Sequence, residues 1–258
     1  MTTPLMVNIL AFFFGACIGS FLNVCIYRIP AALSIVYPGS SCPRCKTMIP
    51  FYDNIPILSY LLLRGKCRNC QAPIAIRYPF VELLGGLFAL ACAMSFGPTL
   101  QSLVVFAFIA TLTVVTFIDL DHRIIPDAIS LPGIPLFFLA ALAVPSVTWR
   151  ASAIGIVVGG GSLFAVAWVY QFMTGREGMG GGDIKLLAMI GAMIGWQGIL
   201  FTLFAASAIG TIVGLLAMIR SGKGMRLAIP FGPFLAMGAI IYLFFGQGLI
   251  AWYFNFLR

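Results

Sequence analysis

The stretch "GMGGGDIKLLAM", residues 178–189, sets four glycines and an aspartate directly before a long apolar run. The run reads as a membrane-type helix, and Asp183 stands where it begins. That position needs a reason, because the 258-residue chain has only seven acidic side chains. Charged residues make up 9% of the sequence and hydrophobic residues 61%, whereas a soluble globular chain is about 25% charged. The composition reads as an all-α polytopic membrane protein, counted in spans of about 20 apolar residues.

Working outward, about eight transmembrane helices are expected, at 5–28, 78–96, 100–120, 127–145, 152–173, 184–198, 199–219 and 230–248. The boundary between the sixth and seventh lies near "GWQG", residues 195–198. The opening "MTTPLMVNILAFFFGACIGS" lacks the basic start and small-residue cleavage pattern of a signal peptide, so it is expected to be a retained first helix. Residues 1–28 then form the first transmembrane helix, 29–77 a polar segment and 78–258 the membrane core. The aromatic-rich residues 249–258 are expected at the membrane interface.

The net charge is +8. In a soluble chain that would suggest nucleic acid; here it is a topology signal, and the expected surroundings are the lipid bilayer with no nucleic acid. Thirteen of the fifteen Lys and Arg residues fall on one side of the spans, leaving Arg150 and Arg258 on the other. Basic residues concentrate in cytoplasmic loops. This places 29–77, the turn near 121–126 and the glycine loop in the cytoplasm. Small residues four apart, Gly155/Gly159, Gly191/Gly195 and Gly210/Gly214, predict close helix packing.

The polar segment carries "CPRC" at 42–45 and "CRNC" at 67–70, with twenty-one residues between the pairs. Two such knuckles present Cys42, Cys45, Cys67 and Cys70 to one tetrahedral ion, usually Zn2+. The alternative, two disulfides, conflicts with a reducing cytoplasm. Four cysteines leave no open coordination position, so one structural zinc per chain is expected. It would stabilise an insert too small to build its own core. Cys17, Cys25 and Cys92 read as small core residues.

Glu82, Asp119, Asp121, Asp127 and Asp183 sit at or inside membrane-helix ends, where ionisable groups are costly and suggest function. Asp127, after Pro126, suits the positive end of a helix and reads as structural. His122, the only histidine, reads as a solvated loop residue. Asp183 has two readings: a helix N-cap, or half of a catalytic site. A cap does not need Gly180, Gly181 and Gly182 before it; three glycines permit positive φ and close approach by another chain. On the predicted topology Asp119 and Asp183, 64 positions apart, face the same side. Two carboxyl groups sharing a site tend to hold one proton between them, the arrangement of an aspartic protease. A transporter would place its acids nearer the bilayer midplane.

These residues resemble the type IV prepilin peptidases. Gly180-x-Gly182-Asp183-x-Lys185 resembles that family's GxGD motif. "DLDHRIIPD" resembles the segment of its first catalytic aspartate, in the register that selects Asp119 over Asp121. "GSFLNVCIYRIP" at 19–30, the CxxC pairs, "RYPFVELL" at 77–84 and "IPFGPFLA" at 229–236 agree. The resemblance implies a bifunctional enzyme of the bacterial inner membrane. It would cut the leader of type IV prepilins or type II secretion pseudopilins on the cytoplasmic side with Asp119 and Asp183. It would then methylate the new N-terminal amine with S-adenosylmethionine. The polar segment shows no dinucleotide-type glycine fingerprint. Asn23 and Glu82, polar residues in apolar helices, are candidates for holding cofactor or the substrate amine, with interhelical hydrogen bonding as the alternative.

Overall fold

A computed structural model of the chain describes residues 4–175, 180–221 and 229–256. The described residues are almost wholly helical or irregular; extended pairing is limited to two isolated bridges, Ser41 with Met48 and Lys66 with Pro73. The chain divides into two compact units, Met1–Val114 and Val115–Arg258.

The first unit holds α1 (Leu5–Arg28), the short α2 (Leu58–Leu62), α3 (Arg77–Phe96) and most of α4 (Leu100–His122). Helix α1 lies along α3. Lipid removes the hydrophobic drive for helices to pair, so the contact depends on close van der Waals approach. Small residues provide it. Gly15 faces the backbone of Gly85, and a Cβ on Gly19 would come within 2.7 Å of Glu82 Cα.

The second unit holds the end of α4, then α5 (Asp127–Ala140), α6 (Trp149–Thr174), α7 (Gly181–Ser221) and α8 (Gly232–Phe256). Helix α7 is its centre, packing against α5, α6 and α8. Leu186, Leu187, Met189, Ile190 and Met193 are fully buried. The predicted glycine pattern does what close packing requires: Gly155 of α6 and Gly191 of α7 meet backbone to backbone, and Gly210 leaves room for the Phe234 ring. Ser152 on α6 donates to the Ala192 carbonyl of α7 across the same seam. Thr148 caps α6 by accepting from Ala151 N–H.

Five helices, α1, α3, α4, α6 and α7, are long and apolar enough to cross a membrane. Large apolar side chains such as Phe13, Trp168, Phe172 and Phe204 point outward, as a lipid solvent permits. Helix α7 runs 41 residues but bends at Gly195, with φ 74° and ψ 176°. Its two arms correspond to the expected sixth and seventh spans, with the break at Gly195 rather than between 198 and 199. Positive φ is nearly free only for glycine, and the Gly195 backbone passes Ala151 closely. Helix α5 is shorter than its expected span: 14 residues with Pro132 and Pro135 inside, followed by a 3-10 turn at Ala141–Ala143. That length is about 21 Å, below the roughly 30 Å of a hydrocarbon core.

Candidate active site and metal centre

Asp119 lies in the last turn of α4 and is 5% exposed. Its Oδ2 accepts the backbone N–H of Gly232, the first residue of α8, at 3.1 Å. A Cβ at Gly232 would fall 2.6 Å from that oxygen and 3.3 Å from Ile125 Cδ1. The glycine is therefore required by the close approach. Asp121, two residues on, is exposed, as is His122. The burial supports the register that selects Asp119.

Asp183 lies in the first turn of α7, which begins at Gly181. It is inside the helix rather than at the N-cap, and its N–H bonds to the Gly180 carbonyl at 3.2 Å. The capping reading therefore gives no account of its side chain. Asp183 is half-buried, and its Oδ1 is enclosed without a hydrogen-bond partner among the described residues. Asp119 and Asp183 are within electrostatic reach of each other. The α4 end and the α7 start thus bring together carboxyl groups 64 positions apart in the chain.

Among the described glycines positive φ occurs at Gly65, Gly97, Gly175 and Gly195, not at Gly180, Gly181 or Gly182. Gly182 is small because Ile125 Cβ would lie 2.9 Å from its Cβ; Gly180 and Gly181 face open space. Residues 176–179 of the loop lie outside the described residues. Lys185 Nζ contacts both oxygens of Asp127, at 2.7 and 2.8 Å. This pairing supports the structural reading of Asp127 and gives Lys185 a partner that the sequence did not suggest.

In the first unit the sulfurs of Cys42, Cys45, Cys67 and Cys70 lie within 4.8 Å of one another. Cys42 and Cys70 are 3.7 Å apart, and Cys45 and Cys67 are 4.0 Å apart. A disulfide would need about 2.05 Å. A tetrahedron with bonds of about 2.3 Å has edges near 3.8 Å, so the donor set fits a zinc ion. The two knuckles share one backbone plan. Cys42 N–H bonds to Thr47 O and Cys67 N–H to Ala72 O; Lys46 N–H returns to Cys42 O and Gln71 N–H to Cys67 O. Lys46 and Gln71 both take positive φ, 60° and 58°.

Hydrogen bonds from the Thr47 side chain and backbone hold the Cys45 thiol down at about 6. Amides of Cys70 and Asn69 lower Cys67 as well. The Ala72 amide pulls down on Cys70, but desolvation and the neighbouring thiols push it up to about 11. Four thiolates this close need a cation to coexist. Beside them Arg68 holds Asp53 in a two-pronged pair at 2.7 and 2.6 Å. Of the other cysteines, Cys25 and Cys92 are buried, while Cys17 is exposed and is no core residue. It borders a cavity of about 240 Å³ with Ser20 and Arg28.

Asn23 is buried and donates to Tyr78 O at 3.1 Å and Gly19 O at 3.3 Å. Glu82 Oε2 accepts Ile57 N–H at 2.7 Å, and the carboxyl group also hydrogen-bonds Ser20. These contacts favour the interhelical alternative for both residues. Asn23 Oδ1 remains a buried acceptor without a partner.

Long apolar helices with outward-facing apolar side chains describe a polytopic membrane protein. Residues 13–96 match the bacterial peptidase A24 N-terminal domain and residues 106–215 match the type IV leader peptidase family; the chain belongs to this family. A prepilin leader peptidase/N-methyltransferase of Aeromonas hydrophila is 38% identical, over 96% of this chain and 94% of that protein. One of Stutzerimonas stutzeri is 35% identical over 100% of this chain and 97% of its own. One of Myxococcus xanthus is 41% identical over 82% of this chain and 63% of its own length. No solved structure matches the chain significantly.

Proposed function

We propose that the chain is a bifunctional prepilin leader peptidase and N-methyltransferase whose proteolytic dyad is Asp119 and Asp183. The relatives' shared activity supports both reactions. The observation that carries the dyad is the buried Asp119 within electrostatic reach of Asp183, whose enclosed Oδ1 has no partner among the described residues. A pair of carboxyl groups sharing one proton activates water with one member and protonates the scissile amide with the other. The pair works on the cytoplasmic face of the bacterial inner membrane, consistent with the loop-charge asymmetry. The substrate, a type IV prepilin or type II secretion pseudopilin, has an apolar helix of its own. It approaches laterally and presents an extended leader junction beside Gly180 and Gly182. Lys185 steadies that loop through Asp127.

Cys42, Cys45, Cys67 and Cys70 would hold one zinc ion with no open coordination position, a structural role. S-adenosylmethionine supplies the methyl group for the new N-terminal amine. Asn23, through its spare acceptor, and Glu82 are the candidate contacts to that amine or cofactor.

The test uses purified enzyme in detergent and a prepilin-like substrate, read by mass spectrometry. Asp119→Asn and Asp183→Asn should each lower leader removal by about a thousandfold or more, while Asp121→Asn cuts normally. Methylation of the cleaved product adds about 14 Da, one CH2. Normal cleavage by either Asn variant at 119 or 183 would sink the dyad.

A further inference from the structure

The segment "IPFGPFLA" at 229–236 starts α8 and adds Phe234, Leu235 and Ala236 to the core, and its first turn is built in an unusual way. The first amides of a helix have no intrahelical acceptor and usually look for side-chain or water partners. Here nearly all of them are removed or used. Pro233 has no N–H. Phe234 N–H and Leu235 N–H both bond to Phe231 O, at 3.0 and 3.2 Å. That leaves the Gly232 amide, and it points at Asp119 Oδ2. The missing Cβ lets it approach. On the other side of the pair, Asp183 Oδ1 is enclosed with no donor among the described residues.

We infer that Gly232 is the positioning residue that divides the labour of the dyad: its amide holds Asp119 as the charged general base, and Asp183 carries the shared proton as the general acid. The inference rests on the dyad reading above. A hydrogen bond to a carboxylate favours its charged form, and a buried oxygen without a donor is better off on a protonated carboxyl. Among the described residues no other ionisable group acts on either carboxyl. Residues 229–236 contain no titratable side chain. Asp121 and His122 on α4 are exposed, and Asp127 on α5 is paired with Lys185 on α7.

The chemistry then balances. Asp119 takes a proton from water as the water oxygen adds to the scissile carbonyl carbon. Asp183 gives its proton to the carbonyl oxygen, leaving a neutral gem-diol. As the C–N bond breaks, the proton on Asp119 passes to the leaving nitrogen, and a gem-diol proton returns to Asp183. A carboxylic acid and an amine are released and both aspartates regain their starting states.

Two measurements test the assignment. The first compares pH–rate profiles of wild type, Gly232→Ala and the control Gly161→Ala, whose new methyl group meets open space. Gly232→Ala should slow cleavage about tenfold or more and move the acid limb about one pH unit upward. Gly161→Ala should leave the limb in place. A slower Gly232→Ala with an unmoved limb overturns the inference.

The second needs no variant that has to fold. An alkyl epoxide is opened by a carboxylate anion, the ring oxygen taking the neighbouring acid's proton. Peptide mapping of the wild-type enzyme should find the ester on Asp119; an ester on Asp183 reverses the roles. If Asp119→Asn cleaves normally, the dyad itself is wrong, which is a separate failure.

Discussion

Lys185 Nζ lies 2.7 and 2.8 Å from the two carboxylate oxygens of Asp127, tying the first turn of α7 to the first turn of α5. Asp183 stands two residues before that tether. The pair is largely exposed, at 35% and 57% for the two side chains, so its effect on stability should be small, about 0.2–1 kcal/mol. Lys185→Ala and Asp127→Ala should reduce cleavage to a similar extent, and the double variant should be no worse than either alone. Kinetics on the three variants decide the point. A Lys185→Ala loss far beyond that of Asp127→Ala would mean that Lys185 touches the substrate directly.

The α6–α7 seam predicts a contrast between two glycines. Gly191→Ala would push a methyl group into the Gly155 backbone and should destabilise the protein by about 1–3 kcal/mol, the usual cost of overpacking. Gly161→Ala, with nothing within 4 Å, should leave thermal stability in detergent essentially unchanged. Equal melting behaviour of the two variants would count against backbone contact as what holds this seam.

The metal centre predicts an acid-sensitive segment. Metal analysis should give one zinc per chain, and Cys→Ser at any of positions 42, 45, 67 or 70 should lower it. Thiolate is the binding form, and Cys45 is held at about 6, so its thiolate is present above that value and lost as pH falls through it. Bound zinc competes with the proton for these sulfurs, so release is expected only as acid protonates the thiolates, below the value that Cys45 has without metal. Asp53 behaves differently: Arg68 keeps its carboxyl below the ordinary carboxylate range. Its contribution is present above the ordinary value and is lost only as pH falls through the lowered one. Stepwise acidification should release zinc before the Asp53–Arg68 pair opens. Zinc retained well below pH 5 would contradict this order.

Glu82 gives a fourth expectation. Its Oε2 secures Ile57 N–H, and Ile57 adopts φ 64°, a conformation uncommon for a β-branched residue. Glu82→Gln retains an acceptor and should keep the polar segment resistant to limited proteolysis. Glu82→Ala should open it to cleavage around residues 55–60. If Glu82→Gln abolishes methylation while proteolysis and zinc content stay normal, Glu82 acts on the methylation chemistry as well as on the fold.

Much of this was legible because the signals are local. Span positions follow from runs of apolar residues, and the zinc knuckles follow from two CxxC pairs. Asp183 is conspicuous because acids are rare in such a chain. Other features escaped because they depend on partners distant in sequence. Gly15, Gly19 and Gly85 form a seam as close as the one between α6 and α7, yet no spacing within one helix announces which helix will face it. Cys17, read as a core residue, is exposed because it lies on the side of α1 away from α3.

The sequence by itself determined the class of solvent and the approximate spans, and it singled out the four clustered cysteines and the two aspartates of the proposed dyad, since charge, hydropathy and short motifs are properties of neighbouring residues. Only the tertiary structure decided which oxygen of Asp119 meets the Gly232 amide, that Asp183 Oδ1 is enclosed without a partner, and that Lys185 belongs to Asp127. The two pairings join residues 113 and 58 positions apart. Hydrogen bonds act over about 3 Å, and only the packing of α4, α5, α7 and α8 brings such groups within that distance.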